Sequence, residues 1–141
     1  VLTLLNVPID EKIDWEACFA EQETLFLYYM PQLLDPKIDV LFAKIQSQGK
    51  TISLLSNTAF IKGKNLHKVL AYYGLASYFS FELYSDEEGI AKPNSAIFQK
   101  AYELTNALCP VEKTQWLHIG DNPIADIQGA TNAGLCAFLI S

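Results

Sequence analysis

Trp116-Leu-His-Ile-Gly-Asp-Asn-Pro-Ile-Ala-Asp126 joins a short apolar run to a helix start and sets two carboxylates, Asp121 and Asp126, at the junction. A buried strand is expected to end near Ile119. Gly120 lets the backbone turn, Asn122 suits an N-cap and Pro123 suits the first helical position. Asp121 then falls on the loop and Asp126 in the first helical turn. Two carboxylates converging at the carboxyl end of a strand form a hard-oxygen site suited to magnesium, which takes one or two protein carboxylates and completes its shell with water and phosphate. The same pair also reads as acids placed where a helix macrodipole favours them.

The segments around this stretch alternate. Asp14 caps a predicted helix running to about Tyr29, with Trp15, Cys18, Phe19, Leu25, Phe26 and Tyr29 at helical spacing and Pro31 beyond it. Asp35-Pro36 opens a second helix, whose Ile38, Leu41, Phe42 and Ile45 share one face and whose stop is Gly49. Thr51–Leu55 is apolar and partly β-branched, a buried parallel strand that breaks into Ser56-Asn57-Thr58. A helix over 64–73, a strand over Ser80–Tyr84, a loop over Ser85–Ile90 and a helix with Ile97, Phe98, Ala101 and Leu104 inward follow. Trp116–Ile119 is the third strand, Pro123–Ala133 the next helix and Ala137–Ile140 the fourth strand. Strands separated by helices predict an α/β fold, a parallel sheet with right-handed crossovers. Residues 1–7 read as either a strand or the tail of a helix.

Composition narrows the function. The chain has 141 residues, half of them apolar and 18% charged, which suits one globular domain with a sizeable core. A net charge of −6 argues against a nucleic-acid partner and against attraction to an anionic membrane. An acidic protein handling phosphate esters needs local cations or a metal. Cys18, Cys109 and Cys136 are an odd number at wide spacing, without the pairing that zinc sites use, and are expected as buried, reduced thiols of a cytoplasmic protein. No apolar run approaches the roughly 18 residues of a membrane span.

In a parallel sheet, ligands bind beyond the carboxyl ends of the strands. Besides the acids, two places put polar chemistry there. Ser56-Asn57-Thr58 offers a hydroxyl, an amide and backbone donors to phosphoryl oxygens, although Ser and Asn also simply favour turns. Lys92 lies just before a helix, where Pro93 fixes its approach; a lone lysine there is ordinarily solvated. His118, mid-strand, is expected to pack or hydrogen-bond in the core, and His67 to be structural. The chain contains no dinucleotide fingerprint, Walker sequence or Gly-x-Ser-x-Gly elbow.

In order, the strand ending at Ser56-Asn57, Lys92-Pro93 before a helix, and Gly120-Asp121-Asn-Pro-Ile-Ala-Asp126 after a strand resemble the second, third and fourth motifs of the haloacid dehalogenase-like hydrolases, over roughly residues 35 to 140. The phrases Leu-Leu-Ser-Asn-Thr and Ala-Lys-Pro-Asn-Ser-Ala-Ile-Phe are similar to those of the family's phosphatases. The resemblance implies a three-layer Rossmann-like fold with helices on both faces, in which residues 31–141 form a partial core and residues 1–30 the end of a helical cap. It further implies that Ser56 and Asn57, with neighbouring amides, bind the phosphoryl group, that Lys92 neutralises its charge and orients the nucleophile, and that Asp121 and Asp126 position Mg2+. The expected activity is magnesium-dependent hydrolysis of a small phosphate monoester through an aspartyl-phosphate.

The family's first motif, Asp-x-Asp at the end of a strand, does not occur in these 141 residues. By the family's topology its strand lies between the one ending at Ser56 and the one ending at Ile119. Losing a central strand would leave backbone groups of both neighbours unpaired. The sequence is therefore expected to be a C-terminal portion of a longer protein and to be inactive alone. The alternatives are a catalytically dead module that binds phosphate and metal, and a receiver-like domain with Asp121 as phosphoacceptor. Substrate identity and oligomeric state are not encoded in any recognisable motif.

Overall fold

The computed structural model describes residues 13–140, so the stretch 1–7 lies outside the described residues. The chain divides into two compact units, Val1–Leu33 and Leu34–Ser141. In the first, helix α1 (Trp15–Tyr28) begins where the Asp14 carboxylate accepts a hydrogen bond from the Ala17 N–H at 3.0 Å. None of its residues is buried, and the rings of Tyr28 and Tyr29 meet edge to face.

The second unit alternates helices and strands. Helix α2 (Ile38–Ser47) follows a turn in which Asp35 accepts the Lys37 N–H at 2.8 Å, and the chain leaves it through Gly49 at φ 71°. Strand β1 (Ile52–Ser56), helix α3 (Gly63–Tyr72) and strand β2 (Phe79–Tyr84) come next, then a single turn α4 (Ser85–Glu88) and helix α5 (Ser95–Leu108). Strand β3 (Leu117–Gly120), a wide-wound segment Pro123–Gln128, the short helix α6 (Gly129–Asn132) and strand β4 (Cys136–Leu139) complete it. β1 pairs in parallel with β2, Ser56 opposite Tyr84, and β3 pairs in parallel with β4, Gly120 opposite Leu139. The fold is α/β. Among the described residues the two pairs are not hydrogen-bonded to each other, so β1 and β3 each have a ladder partner on one side only.

The core lies where α5 and α6 cover the strands. Ile97, Phe98, Ala130 and Leu135 are buried, with Leu55, Ile90, Trp116 and Ala137 packed against them. Phe98 is fully buried, and removing a side chain of that size from water contributes about 1.5–3 kcal/mol. Gly129 makes this packing possible, because a Cβ there would stand 2.5 Å from the Phe98 Cε2 atom. On β3, His118 turns inward while Leu117 and Ile119 are about half exposed, as is Phe138 on β4.

Four expectations need correction. The three cysteines are free, as anticipated, but all are exposed: Cys18 sits on a helix with no buried residue, Cys109 at the end of α5, and Cys136 at the start of β4. On α5 the fourth buried position is Thr105, not Leu104. Its hydroxyl donates to the Ala101 carbonyl at 2.9 Å and accepts the Trp116 indole N–H at 3.1 Å, which satisfies the group inside the core. The segment expected as a loop after β2 opens with the α4 turn, which leaves through Gly89 at φ 66°. Finally, the helix expected over Pro123–Ala133 is wound in two ways, wide to Gln128 and then α-helical.

Candidate active site

The polar residues singled out from sequence gather at the ends of β1 and β3. Ser56 is the last residue of β1, and its hydroxyl makes one long contact, 3.4 Å to the Asn57 carbonyl. Asn57 is exposed, and its amide grips Lys92. Its Oδ1 accepts the Lys92 N–H at 2.8 Å and its Nδ2 donates to the Lys92 carbonyl at 2.9 Å. Thr58 is anchored by its N–H to the Ser85 hydroxyl at 2.8 Å and by its own hydroxyl to the Asp86 carboxylate at 2.5 Å. Asp86 in turn accepts the Gly63 N–H that opens α3, at 3.1 Å. These bonds, the Thr58 hydroxyl first, hold the Asp86 carboxyl below its usual range.

The Lys92 side chain is nearly buried. Its ammonium donates to the Leu55 carbonyl at 2.8 Å and to Asp126 Oδ1 at 2.6 Å. Asp126 Oδ1 also accepts from His118 Nε2 at 2.9 Å, and Oδ2 accepts the Asn122 N–H at 3.0 Å. Burial opposes the charge of Asp126, yet the bonds from His118, Lys92 and Asn122, with the lysine's charge, outweigh it and bring the carboxyl down to about 2. Burial also pushes the His118 imidazole below its ordinary value, with the Lys92 charge acting in the same sense against the pull of Asp126. A neutral ring beside a carboxylate must donate from Nε2. The ring is stacked on Trp116 and meets Phe98 edge-on, which sets its orientation.

Local sequence explains why this cluster forms. The Asn122 side chain accepts the N–H groups of Ile124 and Ala125 at 3.0 and 2.8 Å, capping the segment as expected. The Asn122 carbonyl then receives both the Asp126 N–H at 2.9 Å and the Ile127 N–H at 3.3 Å, the widened winding seen most often at functional sites. This first turn carries Asp126 back toward β3. Gly120 leaves the room: a Cβ there would lie 2.2 Å from the Asp126 Cγ atom.

The two acids therefore differ. Asp126 is buried and every one of its bonds comes from the protein, whereas Asp121 is exposed and no hydrogen bond or ion pair engages its carboxylate among the described residues. The structure brings Lys92, Asp126 and Asn57 into direct contact; Ser56 and Asp121 stand beside them at the strand ends without bonding to them. No group of three His, Cys, Asp or Glu side chains gathers as a metal site among the described residues. Sequence reasoning placed His118 in the core without finding its bond to Asp126, and it missed Ser85 and Asp86. The period-2 position of His118 beside Gly120 was the available signal for the first; Ser85 and Asp86 carried none.

A lysine, a serine hydroxyl and carboxylates thus stand at the carboxyl ends of the parallel strands of this α/β protein. Residues 6–134 match the family model of haloacid dehalogenase-like hydrolases, and the chain belongs to that family. It is 32% identical over 109 residues to the human haloacid dehalogenase-like hydrolase domain-containing protein 3, covering 77% of this chain and 40% of that protein. It is also 32% identical over 122 residues to a phosphoserine phosphatase of Thermus thermophilus, covering 86% of this chain and 43% of that one. The chain thus spans about two fifths of the length of these relatives. Its fold matches the putative HAD-hydrolase YfnB of Bacillus subtilis, solved bound to magnesium, with a TM-score of 0.65 at 20% identity, over 99% of this chain and 77% of that one.

Proposed function

We propose that the full-length protein is a magnesium-dependent hydrolase of small phosphate monoesters, and that this chain supplies its phosphate and metal groups. The observation that carries the reading is the Lys92 ammonium, held between Asp126 and the Leu55 carbonyl at the strand ends. A buried cation with two fixed acceptors is ready to meet the negative charge of a phosphoryl group without reorganising. Ser56, whose hydroxyl has only a long contact, and the backbone donors of the following turn would bind phosphoryl oxygens.

Magnesium fits this donor set through Asp121, an open carboxylate; the ion commonly takes one or two carboxylates and leaves its other positions to water and phosphate. Asp126 has no oxygen without a protein donor, so the geometry favours it as the residue that holds Lys92 in place. When bound, the metal would neutralise phosphoryl charge and align the substrate. The nucleophile would come from an Asp-x-Asp strand outside these residues, seated between β1 and β3, each of which has an unpaired edge among the described residues.

The experiment is turnover of a panel of phosphate monoesters by the full-length protein across a magnesium titration, with Asp121→Asn beside the wild type. Turnover that requires magnesium and falls by at least ~10²-fold in the variant is expected. Unchanged activity in Asp121→Asn refutes the metal assignment, and phosphate binding without any turnover would favour the catalytically dead module.

A further inference from the structure

We propose that Asn57 is a positioning residue that acts on the phosphate through Lys92. The proposal rests on the phosphohydrolase reading only for its consequence, not for its geometry. One planar amide engages two groups of one residue: Oδ1 takes the Lys92 N–H at 2.8 Å and Nδ2 gives to the Lys92 carbonyl at 2.9 Å. The N–H belongs to the peptide plane before the Lys92 Cα and the carbonyl to the plane after it. Since a peptide plane is rigid, pinning both fixes the φ and ψ between them, and with these the direction of the Cα–Cβ bond.

That direction is what the ammonium needs. Lysine carries four rotatable bonds and reaches a fixed point only if its root is fixed. Lys92 lies outside every helix and strand, so no ladder holds its backbone, and among the described residues its backbone polar groups bond to Asn57 alone. From that root the side chain runs to the Leu55 carbonyl and Asp126, both within hydrogen-bond distance. Leu55 and Asn57 are two residues apart on the same strand end, so the end of β1 holds the lysine at both its root and its tip. Thr58 fastens the next residue to Ser85 and Asp86, which keeps Asn57 from following Lys92 if either moves. One N–H of Nδ2 is left over, so what assigns the amide to Lys92 is the two-point grip on that residue's backbone. Ser56-Asn57-Thr58 thus divides into a ligand-facing hydroxyl, a lysine clamp and an anchor.

The test reads Lys92 directly. The full-length protein, wild type and Asn57→Ala, is pulsed at one fixed pH with an amine-acylating reagent, and each lysine's labelling is measured by mass spectrometry. Lys113, whose ammonium is bonded to the Ala133 carbonyl, serves as the internal reference. The expected result is a rise of about tenfold at Lys92, the freedom that two hydrogen bonds of modest net strength withhold, with Lys113 unchanged. No selective rise at Lys92, or an equal rise at both lysines, overturns the proposal. Should Asn57→Ala not yield folded protein, Asn57→Asp decides: it keeps the acceptor for the Lys92 N–H and loses the donor to the carbonyl, so a smaller selective rise supports the clamp and none refutes it. A second arm measures inorganic phosphate binding with magnesium in a Lys92→Ala background. Adding Asn57→Ala there should leave the affinity unchanged, and a several-fold loss would show that Asn57 holds phosphate itself. Wild-type protein that binds no phosphate and turns over no ester would sink the phosphohydrolase reading while the labelling arm still judged the clamp.

Discussion

Replacing Asp126 by Asn tests the centre of the site, because the substitution preserves shape while changing what the group can accept. Three donors converge on the carboxylate: Lys92 Nζ and His118 Nε2 on Oδ1, and the Asn122 N–H on Oδ2. An amide offers one oxygen and one NH2, so at least one donor must face another donor. The Lys92 charge also loses its partner in a nearly buried position. Removing one member of a buried pair costs about 3–5 kcal/mol. The carboxyl's displacement from 3.8 to about 2 gives an independent figure, about 2.4 kcal/mol for the charged form alone, from roughly 1.4 kcal/mol for each unit.

The sign with pH follows from the direction of the shift. A carboxyl whose folded value lies below its unfolded one stabilises the fold fully above about 4 and loses that contribution as pH falls toward 2. Urea unfolding of the full-length protein should therefore show the wild type more stable than Asp126→Asn by about 3–5 kcal/mol at pH 7, with the gap narrowing by about 1 kcal/mol at pH 3 and about 2 kcal/mol at pH 2. Comparing the two proteins at each pH cancels the titration of every other acid. A gap that stays constant from pH 7 to pH 2 would show that the Asp126 charge is not held by the protein as described, and equal midpoints at pH 7 would refute the whole account.

Two further substitutions probe what holds this centre. Gly120→Ala puts a methyl 2.2 Å from the Asp126 Cγ atom, so Asp126 must leave Lys92 and His118; a loss of about 3 kcal/mol in unfolding free energy is expected, with a fall in turnover of the proposed phosphate monoester substrate. Thr58→Val removes the hydroxyl shared by Asp86 and Ser85 while keeping the side chain's shape; a loss of about 1 kcal/mol is expected, and the Asp86 carboxyl, followed by NMR titration, should move up toward its ordinary range.

Much of this molecule was legible in the sequence because its elements are short, strongly patterned and punctuated by residues with one conformational use. Ile38, Leu41, Phe42 and Ile45 mark α2, Gly49 closes it at positive φ, and the Asn122-Pro123 pair announces a helix start that the structure shows. Where expectation failed, a tertiary contact decided. Thr105 is buried in place of Leu104 because the Trp116 indole needs an acceptor there, and nothing local to α5 says so. The cysteines are exposed because Cys18 sits on a helix that buries nothing, Cys109 just beyond the end of α5 and Cys136 at the start of β4, placements that a residue's average burial cannot foretell. In the site, spacing along the chain put both acids at the same strand end, but it could not show the wide winding after Asn122 that turns Asp126 inward and leaves Asp121 out.

That separation bears on how mutational data at this site should be read. Lys92 joins the two parallel pairs at their carboxyl ends, since its ammonium bonds to β1 through Leu55 and to the segment after β3 through Asp126. The pairs share no ladder bond among the described residues, so part of what holds them in register at this end is the group proposed to meet the substrate. Truncating Lys92 would therefore leave a buried carboxylate without its cation as well as a phosphate without its counter-charge, and a fall in turnover would mix the two. Asp121 is free of this ambiguity. It is exposed and bonded to nothing described, so its loss should leave stability untouched, and any effect on turnover belongs to the ligand or the metal. The residue with the fewest contacts is thus the cleaner probe of function, and the residue with the most is the cleaner probe of the architecture that function requires.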